Sequence, residues 1–87
     1  MKGQSILEYP IDFPIKVMGR REPRLVQTIV DIVQRHAADF DPASVQMRTS
    51  KKNNYLSVTC VVRATSRAQL DALYRELCDH PAVVMVL

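Results

Sequence analysis

Apolar and polar residues alternate from Asp12 to Met18, with Phe13, Ile15 and Val17 on one side and Pro14, Lys16 and Met18 on the other. A period of two marks a half-buried strand. Pro14 has no N–H to give to a ladder, which places it at the strand start or at a bulge. Gly19 ends the strand and Arg20-Arg21 make a polar connection. From Glu22-Pro23 the period changes. Leu25, Ile29, Ile32, Val33 and His36 recur at helical spacing, with Val26, Val30 and Ala37 widening the stripe. Gln27, Thr28, Asp31, Gln34 and Arg35 take the wet side. Proline suits the first helical position, where its N–H would be unpaired anyway. The helix fades near Ala38, before the Asp41-Pro42 turn.

The second half repeats the sequence of signals. Ala43 to Ser50 reads as a strand, with Val45 and Met47 facing one way and Gln46 and Arg48 the other. Lys51-Lys52-Asn53-Asn54 is a turn, because asparagine tolerates positive φ better than most residues. From Tyr55 to Thr65, Leu56, Val58, Cys60, Val62 and Ala64 alternate with Tyr55, Ser57, Thr59, Val61 and Arg63. The first set should face the helices and the second an open sheet face. Ser66 and Gln69 have the spacing of a capping box. Leu70, Leu73, Tyr74 and Leu77 line the helix that follows, and Asp79-His80-Pro81 stops it. Val83 to Leu87 is a last strand, apolar on both faces.

Two β-α-β halves joined by a hairpin give the ferredoxin-like, split βαβ arrangement, an α+β fold. Right-handed crossovers put both helices on one face of a four-stranded antiparallel sheet, with the first and third strands central. Residues 1–11 form an irregular lead-in and residues 12–87 the single domain. An edge strand as apolar as Val83–Leu87 invites a cover. Either the segment packs inside the monomer, or the chain's own lead-in, a second copy or another protein covers it, with Val84 and Val86 as the interface residues.

Composition narrows the field. In 87 residues, 12 Lys and Arg stand against 9 Asp and Glu, so the surface is mixed in sign at a net charge of +3. No apolar run approaches the ~20 residues of a membrane helix or the ~7–15 of a signal peptide, and the cytoplasm is the expected compartment. Two cysteines are too few for the disulfide framework of a small secreted domain. Cys60 falls on the core face and reads as a small hydrophobe. Cys78 at a helix end reads as structural too, since thiols are activated at helix N-termini. Cys78, His80 and the distant His36 do not make a zinc set, which needs three or four ligands at defined spacing. His36 fits a helix C-terminus. With two glycines far apart there is no phosphate-cradling loop, and no Gly-x-Ser-x-Gly or His-Glu-x-x-His motif occurs. No metal, cofactor or catalytic group is therefore expected.

Two sets of residues remain as candidate binding sites. Arg20, Arg21 and Arg24 flank a strand–helix connection, where an anionic metabolite could meet a helix N-terminus. Arg48, Lys51, Lys52, Tyr55 and Arg63 lie on or beside the open sheet face, as basic and aromatic residues do in RNA-recognition modules of this topology. Such modules use two or three stacking aromatics, and Tyr55 is one.

Lys16-Val17-Met18-Gly19, the hairpin from Ser50-Lys51 to Tyr55-x-Ser57-Val58, Leu73-Tyr74-x-x-Leu77 and the terminal Val84-Met85-Val86-Leu87 together resemble the YbeD-like family of small conserved bacterial proteins. The resemblance runs from Phe13 to Leu87. It departs at Asn53, where the family hairpin often carries glycine. It implies a ferredoxin-like fold similar to the ACT modules that regulate amino-acid enzymes, no catalytic residues, and an association with lipoic-acid metabolism. The reading that follows is a non-enzymatic regulatory or interaction module. It would bind a small metabolite or a protein partner, possible homodimer included, with nucleic-acid binding as the alternative.

Overall fold

The structure is a computed structural model that describes residues 8–50, 52 and 54–87. Six elements follow one another: β1 (Ile11–Arg20), α1 (Leu25–His36), β2 (Gln46–Thr49), β3 (Tyr55–Ala64), α2 (Arg67–Asp79) and β4 (Val83–Val86). The strands form one antiparallel sheet in the order β2-β3-β1-β4. The long central pair runs in register from Ile11 opposite Ala64 to Arg20 opposite Tyr55. Both helices lie on one face. There Ile15, Val17, Val58, Cys60 and Val62 bury against Leu25, Ile29, Val33, Leu70, Leu73 and Leu77. Each large aliphatic side chain so buried contributes about 1.5–3 kcal/mol. The α+β, ferredoxin-like arrangement expected from the alternation is thus the one formed.

Pro14 sits in the middle of β1, not at its start. In β1 the even-numbered residues bond toward β4. The Lys16 N–H donates to the Leu87 carbonyl at 3.1 Å, the Lys16 carbonyl accepts from the Leu87 N–H at 2.8 Å, and the Arg20 N–H donates to the Ala82 carbonyl at 3.2 Å. Pro14 shares their parity, so its nitrogen points to the β4 side one step beyond Leu87. No described residue pairs there, and the missing N–H costs no ladder bond.

Gly19 does not end the strand either. It pairs with Leu56 on one side and Val83 on the other, at a point where the β1–β4 register shifts and Val84 becomes an extra residue. A Cβ on Gly19 would stand 2.6 Å from the Ala82 carbonyl oxygen and 2.8 Å from Leu25 Cδ1. Only a hydrogen fits where β4, β1 and the start of α1 meet.

Two boundaries also move. Leu25 N–H donates to the Glu22 carbonyl at 3.2 Å, so Glu22-Pro23-Arg24 closes a turn and α1 begins after it. Proline's fixed φ serves a turn as well as a first helical residue. Pro42–Ser44 is a single 3-10 turn in place of the expected strand start, because the Asp41 carboxylate accepts from the Ala43 N–H at 2.9 Å. Phe40, unassigned by the periodicity, closes the core after α1. At the head of α2, the Ser66 hydroxyl accepts from the Gln69 N–H at 3.1 Å, as a capping box requires. The Gln69 side chain, however, reaches back to Thr65 instead of Ser66, accepting from its N–H at 2.6 Å. Its amide also donates to the His36 carbonyl at 2.7 Å, tying the end of α1 to the start of α2.

Candidate functional site

The face of the sheet away from the helices carries no covering element among the described residues, and its side chains follow from strand parity. Across the middle run Gln46, Thr59, Lys16 and Leu87; the next row is Arg48, Ser57, Met18 and Met85. Lys16 on β1 and Arg48 on β2 therefore flank β3 from opposite sides, one row apart. Between them lies a hollow of about 270 Å³, floored by Ser57 and Thr59 and bordered by Gln46 and Met47. A second hollow of about 140 Å³ adjoins it, sharing Lys16, Arg48 and Ser57 and reaching Met18 and Tyr55. Ser57 is 9% exposed, the most enclosed polar residue described. Among the described residues, neither Lys16, Arg20 nor Arg48 has a carboxylate within ion-pair distance.

The expected nucleic-acid set does not form one patch. Arg48, Tyr55 and Arg63 do share the open face, with Lys52 exposed in the hairpin turn, while Lys51 lies outside the described residues. Arg63, however, is six residues along β3 from Ser57, roughly 20 Å at the rise of a strand. It pairs across from Asp12 and lines a hollow with Asp12, Asp39 and Asp41. The face is basic at one end and bordered by carboxylates at the other.

The strand–helix arginines are likewise separated. Arg20 belongs to β1 and stands opposite Tyr55 on the open face. Arg21 borders a different hollow, with Glu22, Pro23, Val26 and Leu56. Arg24 is the exposed N-cap of α1 and makes no side-chain cap bond. On β4, Val84 and Met85 are exposed, whereas Val86 pairs opposite Val17 and packs against the core.

The remaining titratable groups are structural or solvent-facing. Burial pushes the Cys60 thiol up to about 11. Cys78, expected to be structural, is exposed and free. His36 Nε2 lies 2.7 Å from Glu76 Oε1, and Arg35 pairs with the other oxygen of the same carboxylate. No three His, Cys, Asp or Glu residues gather as a metal set among the described residues. No described helix is long and apolar enough to cross a membrane.

Lys16, Gln46, Ser57 and Thr59 escaped the sequence reading as site residues. Alternation placed each on the open face, but their convergence depends on the register of three strands, which alternation does not fix.

A family model described as "Protein of unknown function (DUF493)" matches residues 4–87. A UPF0250 protein of Bordetella pertussis is 57% identical over 84 residues, covering 97% of this chain and 92% of that one. A UPF0250 protein of Nitrosomonas europaea is 48% identical over 87 residues and the full length of both. Among solved structures, a protein of H. pylori superposes with a TM-score of 0.77 at 14% identity, over 100% of this chain and 94% of that one. The ACT domain from GTP pyrophosphokinase of Chlorobium tepidum superposes with a TM-score of 0.65 at 14% identity, over 87% and 84%. At these identities the structures establish the fold they share with this chain, ACT-like and ferredoxin-like, and nothing beyond it.

Proposed function

The chain belongs to the DUF493, or UPF0250, family of small bacterial proteins of unknown function, and from that premise we propose that it is a non-enzymatic regulatory module of the cytoplasm that works by binding a small metabolite. The observation that carries this reading is the uncovered sheet face. It sets Lys16, Arg20 and Arg48 beside the exposed Tyr55, Met85 and Leu87. Charge without a partner next to exposed apolar surface is the composition of a recognition site. The ACT-like fold supports a regulatory role by analogy. The lipoic-acid association implied by the YbeD resemblance supplies the first metabolites to try. Val84 and Met85 on β4 offer the contact for a second copy of the chain.

Native mass spectrometry of protein isolated gently from its own cells tests this. A dimer carrying a co-purified small molecule supports the reading. A bare monomer sinks it and turns attention to protein partners along β4.

Nucleic-acid binding is the second reading, favoured by the shared face of Arg48 and Tyr55 and weakened by the carboxylates around Arg63. It requires RNA affinity that falls steeply with salt.

A further inference from the structure

We propose that the hollow between Lys16 and Arg48 is the binding site for a small organic anion. Its carboxylate or phosphate group would be held by these two cations and the Ser57 and Thr59 hydroxyls, and its apolar part would lie against Met18 and Tyr55. This deepens the reading of the open face as a recognition surface and rests on it.

The chemistry of the lining is that of an anion site. Two like charges approach the same hollow from either side of β3 without a carboxylate to neutralise them. Two exposed cations bordering one hollow give it a positive potential, which favours an anion. The guanidinium offers a planar fork that matches a carboxylate or phosphate bidentately, and the ammonium adds a point charge. Neither the Ser57 nor the Thr59 hydroxyl is engaged in a side-chain hydrogen bond among the described residues, so both remain free to donate. Ser57 is already enclosed, which raises the worth of any hydrogen bond it makes to a charged group.

The neighbouring hollow gives the ligand its other half. It continues from the same two cations over Met18 and Tyr55, where an aromatic face and a thioether accept carbon. The size suits a small head group. At about 270 and 140 Å³ the hollows are small beside the ~300–1,000 Å³ that encloses a drug-sized ligand. A polyanion is disfavoured because the basic patch stops well short of Arg63, where Asp12, Asp39 and Asp41 take over.

The test is an NMR amide titration of the full chain at fixed ionic strength. Benzoate and phenyl phosphate serve as probes and sodium chloride as the salt-matched control. Saturable shifts confined to β1, β2 and β3 around Lys16, Arg48, Ser57 and Thr59 are expected with at least one probe. The tighter of the two identifies the head group as carboxylate or phosphate. Lys16→Gln and Arg48→Gln should each weaken binding by about tenfold or more, the worth of one charge-assisted contact, while Lys16→Arg retains it. Both side chains lie outside the core, so the rest of the spectrum should stay in place. Absence of saturable shifts with either probe overturns the site, as do shifts spread equally over Arg21, Arg67 and Arg75, or affinity that survives Lys16→Gln. Native mass spectrometry of the Lys16→Gln, Arg48→Gln double variant separates the two levels. If a co-purified molecule is retained, this site is wrong while the regulatory reading stands; if only the wild type carries it, both stand.

Discussion

Replacing Gly19 by alanine adds one methyl group at the most crowded point of the backbone. The new carbon would stand 2.6 Å from the Ala82 carbonyl oxygen, a backbone atom that cannot rotate away, and 2.8 Å from Leu25 Cδ1. Relief requires β4 to retreat, which loosens the bond from the Arg20 N–H to that carbonyl. Overpacking of this kind costs about 1–3 kcal/mol. Against it, alanine restricts the unfolded chain and returns about 0.4–1 kcal/mol. The difference spans about 0–2.6 kcal/mol, and because the contact is with a backbone atom that cannot rotate away the expected net loss is about 1–2 kcal/mol. For a domain of this size each kcal/mol moves Tm by about 4–8 °C, so a fall of roughly 5–15 °C is expected. Urea denaturation followed by circular dichroism should show a lower midpoint with an unchanged slope. Amide exchange at Arg20 should quicken more than at Ile15 in the same strand. A midpoint equal to or above that of the wild type would refute the reasoning, since it would mean that the strand junction has room for a side chain.

Four further outcomes are expected. In the native protein a thiol reagent should modify one cysteine, the exposed Cys78, and reach the buried Cys60 only after denaturation; two fast equivalents would contradict the burial. Cys60 loses its proton near 11 when folded and near 9 when unfolded, so its contribution holds below pH 9 and is lost as pH rises toward 11. The loss is of order 2–3 kcal/mol, and Cys60→Ala should flatten that part of the stability–pH curve. Ser66→Ala removes the N-cap acceptor of α2 and should cost about 1 kcal/mol by urea denaturation. Glu76→Gln, on a half-exposed carboxylate shared by Arg35 and His36, should cost about 1 kcal/mol or less, with the loss fading in high salt.

The architecture was legible where a pattern is local. The unbroken alternation of β3 and the leucine stripe of α2 needed nothing beyond the chain itself. Pro14 is tolerated mid-strand because of which neighbour its nitrogen faces, and only the β1–β4 register decides that. Pro23 and Pro42 both mark a turn just ahead of a regular element, and proline fits a turn and a first helical turn equally well. Gly19 reads as a strand end in the sequence, which puts Arg20 in a connection; the reason for that glycine is the Ala82 carbonyl, sixty-three residues on. Alternation puts Tyr55, Arg48 and Arg63 on the open face, but the carboxylates that share a hollow with Arg63 come from β1 and the loop after α1. The pairing of His36 with Glu76 joins two helices and has no signature in either. Lys16, which shares the hollow with Arg48, was visible on its strand and uninterpretable without the strands beside it.

β2 holds to the sheet through β3 alone, and all four of its residues are exposed. It buries little that the rest of the fold would lose if it detached. Its amides should therefore exchange with solvent at an opening energy well below that of global unfolding, while those of β1 and β3 exchange only when the whole domain opens. The molecule has two stabilities, one for its body and one for this strand. A ligand or partner that touches Arg48 would slow exchange along β2 first, and its binding free energy would also raise the melting temperature.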